Sequence, residues 1–112
     1  MVRHIVLLRL KDGFVAGAPS VLAAIQASRE MADKIPEAAT WKVHCGISQR
    51  EGAADFVGSG DFADLEAVRA FLKHPEHVRT AGLCNAVSTA TIADIHLPPE
   101  PTPPSPHPPR RG

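Results

Sequence analysis

An α+β fold with the order strand, helix, strand, strand, helix, strand is what this sequence predicts, on three observations. Residues 39–49 alternate apolar and polar, the period of a half-covered strand, and residues 2–10, 54–62 and 85–96 also read as strands. Apolar residues recur at helical spacing along residues 19–35 and 64–73. Pro36 and Pro75 stand where a helix has to stop or restart. This order is the ferredoxin-like split βαβ arrangement, a sheet with helices on one face.

Residues 2–10 form the first strand. Val2, His4, Val6, Leu8 and Leu10 share one face, and Arg3, Ile5, Leu7 and Arg9 the other. Both faces are apolar in the middle, so both need a cover. The chain's own helices cover one. A second layer for the other exceeds what one small domain supplies, so we expect a homodimer whose sheets face each other. Residues 11–18 hold two glycines and read as a loop.

The first helix is expected from Pro19 or Ser20 to Ile35. Val21, Ala24, Ile25, Ser28, Met31, Ala32 and Ile35 make its apolar stripe, and Glu30 precedes Lys34 by four, the favourable order for a surface pair. The second strand is expected over 39–49, with Trp41, Val43, Cys45 and Ile47 on one face. The third runs over 54–62 and contains Gly58 and Gly60 on one face, as a pocket floor or a bend in the sheet. Asp64 is a good N-cap for the second long helix, whose stripe is Leu65, Val68, Phe71 and Leu72. Pro75 breaks that helix. A short helix from Pro75 to about Leu83 leads into a last strand over 85–96, with Val87, Thr89, Thr91, Ala93 and Ile95 on one face.

Composition sets the outer limits. The chain has 112 residues and eleven prolines, of which only Pro19, Pro36 and Pro75 precede residue 98. Residues 1–97 make one domain. Residues 98–112 have a composition that favours extended polyproline II and buries no core, so we expect a disordered, deletable tail. The formal charge is zero, which leaves no electrostatic case for nucleic acid. No apolar run reaches membrane-spanning length, and the first residues read as strand and not as a leader. Cys45 and Cys84 are not spaced as a metal pair. We therefore expect a cytoplasmic, reduced protein with two buried, inert thiols, no membrane partner and no cofactor.

Chemistry concentrates in His74-Pro75-Glu76-His77, which holds two of the six histidines. His74 falls at the hinge and His77 in the first turn of the new helix. Two imidazoles there are an acid/base kit near neutral pH; equally, they cap, pack and hydrogen-bond. They are three apart, not the four usual for two ligands on one helix face, and no local third ligand stands out, so no metal is expected.

The stretch Arg3-His4-Ile5-Val6-Leu7-Leu8-Arg9-Leu10-Lys11, the pair Ile35-Pro36, Gly46 and His74-Pro75-Glu76-His77 together resemble the stress-responsive α/β-barrel family, the dimeric α+β barrel or Dabb proteins. The resemblance spans residues 1 to about 96. It implies a homodimer in which two ferredoxin-like sheets close into a barrel. The family it points to includes stress-associated proteins and cofactor-free enzymes, among them a plant olivetolic acid cyclase, which closes a polyketide by aldol condensation, and a plant hydroxynitrile lyase. Carried over from the cyclase, the last histidine of the motif is His77, the strand histidine is His4, and the acid/base tyrosine six residues before His77 is replaced by Phe71. The chain has no tyrosine.

The enzyme reading makes His77 the general base, with His4 or His74 as partner, in a cyclase- or lyase-like reaction on a small hydrophobic or polyketide-like molecule held in the barrel cavity. A helix N-terminus would help keep His77 neutral, and His4 would sit on a desolvated face beside Val6, Leu8 and Leu10. The expected wall is drawn from Phe71, Val6, Leu8, Ile5, Ile47, Phe56 and Val87. The alternative is a stress-responsive or small-molecule-binding protein without turnover, in which the two motif histidines brace the fold. The absent tyrosine favours that alternative.

Overall fold

The computed structural model describes residues 1–99. The expected tail lies largely outside the described residues. Four strands and three helices are present: β1 (Val2–Leu10), α1 (Pro19–Lys34), β2 (Lys42–Cys45), β3 (Phe56–Phe62), α2 (Leu65–Lys73), α3 (Pro75–Val87) and β4 (Ser88–His96), with one 3₁₀ turn at Pro36–Ala38. The sheet is antiparallel with order β2-β3-β1-β4. This is the α+β, ferredoxin-like arrangement expected from the element order.

The central strand shows why the layers form. On its even face Val2, His4 and Leu8 are buried, and Val2 and Leu8 join one cluster with Val21, Ile25 and Met31 of α1 and Val68 and Phe71 of α2. On the odd face Ile5 is half-buried, Leu7 is 39% exposed and Arg9 is exposed. The helices thus cover one face only. Ser59 and Ala93 flank Ile5, while Val57 and Thr91 flank Leu7, so the bare face continues across the sheet.

Helix boundaries follow local chemistry. Ile35 ends α1 with its N–H still bonded to the Met31 carbonyl, and Pro36 prevents continuation. The Asp64 carboxylate accepts the Ala67 N–H at 2.8 Å and caps α2. His74 lies between α2 and α3 in extended geometry, and Pro75 takes the first helical position, where its missing N–H costs nothing.

Three expectations about the elements are corrected. The second strand is only Lys42–Cys45, because its partner β3 begins at Phe56, opposite Cys45. Beyond it Ile47 is 95% exposed, and Cys45, at the end of an edge strand, is exposed as well. Only Cys84 is a buried thiol; burial pushes its pKa up, and its sulfur points to the Ala24 carbonyl. Finally, α3 runs to Val87 and not to Leu83. The Ser88 hydroxyl donates to the Cys84 carbonyl at 2.6 Å at the helix end, and β4 starts immediately afterwards.

Gly58 and Gly60 belong to a close approach. A Cβ on Gly58 would overlap the Trp41 indole, and one on Gly60 would lie 3.0 Å from it. The indole therefore lies flat over β3, where side chains would otherwise stand. Its Nε1–H donates to the Ser28 hydroxyl at 3.3 Å, tying β3 to α1.

Candidate active site

The cavity lies between the sheet and the chain's own helices and measures about 170 Å³. Its floor is His4, Val6 and Leu8 of β1 with Trp41, Val43 and Gly58. Ser28 and Met31 of α1, Leu72 of α2, and His77, Thr80, Ala81 and Cys84 of α3 close it from above. It opens along β4, where Ala90 and Ile92 line it and are exposed. The site histidine His4 sits on the even face of β1, and that face meets the helices.

His77 reaches the cavity because α3 starts where it does. His74 Nδ1 accepts the Glu76 N–H at 3.1 Å, capping the helix and fixing the third helical residue, His77, toward the core. The His77 ring is half-buried, and burial pushes its pKa below the ordinary 6.5. A hydrogen bond with the Leu72 backbone pulls the other way, and the charge of nearby His4 lowers it further. The direction matches expectation, but the leading cause is burial rather than the helix end. A neutral imidazole keeps a lone pair on one ring nitrogen.

His4 is 1% exposed. Three aromatic rings surround it: Trp41 and Phe71 at 6.0 Å and Phe62 at 6.2 Å between centroids. Its Nδ1 meets Asp94 Oδ1 at 2.6 Å, and Asp94 is the register partner of His4 across β1 and β4. A carboxylate only accepts, so Nδ1 carries the hydrogen and Nε2 remains available for chemistry. A carboxylate that orients an imidazole is the arrangement general acid/base sites use.

The remaining expected residues divide. Phe71 is not a wall: it is 1% exposed and packs edge-on behind both imidazoles, 4.7 Å from His77. His74 caps α3 and lies outside the cavity lining. Ile5 is on the opposite face of β1. Ile47 lies beyond the end of β2. Phe56 and Val87 are core residues outside the lining, and Val87 closes α3 instead of standing on a strand. Val6 and Leu8 line the cavity as expected. Sequence reading missed Asp94, Trp41 and Thr80. Thr80 had a local signal, since it follows His77 by three and so shares its helix face. Among the described residues no cluster of three or more His, Cys, Asp or Glu is placed to hold a metal. No described helix is long and apolar enough to cross a membrane.

Comparison with known proteins agrees with this architecture. An uncharacterized protein of Streptomyces coelicolor is 35% identical over 97 residues, covering 87% of this chain and all of that one. A solved structure from Thermobifida fusca, described as a dimeric ferredoxin-like protein of unknown function, matches with a TM-score of 0.73 at 23% identity. That match covers 86% of this chain and 90% of the other. The hydroxynitrile lyase of Passiflora edulis matches with a TM-score of 0.73 at 18% identity over 92% of this chain and 96% of its own. Likenesses at these identities show the fold. The family model for the stress responsive A/B barrel domain matches residues 2–96, the whole of β1 through β4, and the chain belongs to that family.

Proposed function

We propose that this protein is a cofactor-free acid/base catalyst that moves a proton at the carbon beside a carbonyl, the step that opens aldol-type bond formation or cleavage. The observation that carries the reading is the pair of imidazoles on one apolar cavity. Burial favours the neutral, proton-accepting form of His77, and Asp94 fixes His4 through Nδ1, which leaves Nε2 for the reaction. His77 takes the proton. His4 is its partner across the cavity as charge develops on the carbonyl oxygen.

Volume narrows the substrate. A cavity of about 150 Å³ holds a benzene ring. This one, at about 170 Å³, encloses a ring-sized body, and anything longer leaves past Ile92. A compact apolar aldehyde or ketone fits better than an enclosed long polyketide. The functional unit we propose is a homodimer that covers the bare sheet face. The dimeric description of the Thermobifida fusca structure supports it.

The test is solvent exchange of the α-protons of cyclohexanone in D₂O, followed by NMR. We expect catalysed exchange, lost by about 10²-fold or more in His77→Ala with the fold retained by circular dichroism. Ketone binding without exchange would establish the non-catalytic reading, which Phe71 in the tyrosine position favours.

A further inference from the structure

Thr80 carries a polar group that the reaction described above does not use. It is 2% exposed, lines the cavity, and its hydroxyl is the one buried side-chain polar atom without a hydrogen-bond partner among the described residues. The other buried hydroxyls and the buried thiol are engaged. The Ser28 hydroxyl accepts from Trp41, Cys84 sulfur faces the Ala24 carbonyl, and the Ser88 hydroxyl donates to Cys84. A buried hydroxyl without a partner is costly, and a protein interior of this size satisfies nearly all of its polar atoms. A threonine in a helix divides between two χ1 rotamers, so its oxygen turns without disturbing the backbone. Thr80 stands three residues after His77 on one helix, which fixes it relative to the base.

We propose that Thr80 is a positioning residue whose hydroxyl donates a hydrogen bond to the carbonyl oxygen of the bound molecule. This bond would turn the adjacent C–H toward His77. It rests on the reading of the cavity as a carbonyl site. The hydroxyl also discriminates between ligands: a molecule of the same shape with no acceptor leaves the donor buried and unsatisfied. Such sites reject the analogue that lacks the polar atom far more strongly than they reject a misplaced methylene.

The experiment compares cyclohexanone with methylenecyclohexane, which has the same heavy-atom count and no oxygen, for wild type, Thr80→Val and Thr80→Ser. Binding is read by calorimetry, and the carbonyl stretch of the bound ketone by infrared spectroscopy. Thr80→Val should weaken the ketone by about tenfold and leave the hydrocarbon unchanged within about twofold. Its ligand-free Tm should rise, because an orphaned hydroxyl has been removed. Thr80→Ser should keep the ketone preference. The stretch in wild type should lie below its value in hydrocarbon solvent and return toward that value in Thr80→Val. Equal weakening of both probes, no weakening of either, or an unshifted stretch in wild type overturns the proposal. An unshifted wild-type stretch overturns the proposal even if Thr80→Val fails to fold. Loss of ketone preference in Thr80→Val while wild type shows no α-proton exchange would uphold Thr80 and reject the catalytic reading. Exchange that depends on His77 but not on Thr80 would do the reverse.

Discussion

Burial holds the His77 imidazole below its ordinary value of 6.5, and the sign of that shift has two readable effects. The folded state resists the proton, whereas the unfolded chain accepts it at the ordinary value. Stability is therefore full above about 6.5 and falls as pH drops through that value toward the lower folded one. In His77→Gln this part of the pH dependence should vanish, as thermal melts between pH 5 and 8 would show. The same shift keeps the ring neutral at pH 7, so the acid limb of the α-exchange rate should have its midpoint below 6.5. A midpoint above 6.5 would mean that another group takes the proton. Asp94 belongs to this scale too. It was invisible to local reading because ninety positions separate it from His4. Strand alternation gives each residue its face, but only the register of β1 with β4 puts the two opposite each other.

At the scale of the element, the break between α2 and α3 was legible and its consequence was not. Pro75 and Asp64 announce the two helix starts through the groups they supply or withhold, and both stand where they were expected. The role of His74 depends on a side-chain rotamer, which spacing does not specify. His74→Ala should cost about 1 kcal/mol, the worth of an N-cap, and lower Tm by about 4–8 °C. Because His74 lies outside the cavity, the exchange rate per folded molecule should change little at a temperature where the variant is folded. A loss comparable to that of His77→Ala would place His74 in the chemistry. Strand ends were the least legible feature. The expected reach of the second strand to residue 49 assumed that alternation alone sustains pairing. The ladder with β3 ends at Cys45, and Ile47 pairs with nothing across it. The glycines were read as a floor or a bend; the Trp41 indole over them shows a third use, which depends on a loop path no local pattern encodes.

For the molecule as a whole, the helices leave the odd face of β1 uncovered, and the proposed homodimer places a second copy there. Leu7 and Ile95 are 39% and 42% exposed on a face that also carries Ile5, Val57 and Ala93. Light scattering should give twice the chain mass of 11.9 kDa. Leu7→Lys should convert the particle to monomer or unfold it, since it buries a charge without a partner. The two-sided apolar pattern of residues 2–10 made this face legible. The cavity was not, because the pattern does not say which face meets the helices. That placement separates two kinds of surface. In the proposed homodimer the cavity lies on the helix side of each sheet and the shared seam on the other, so a change in the lining can leave assembly untouched.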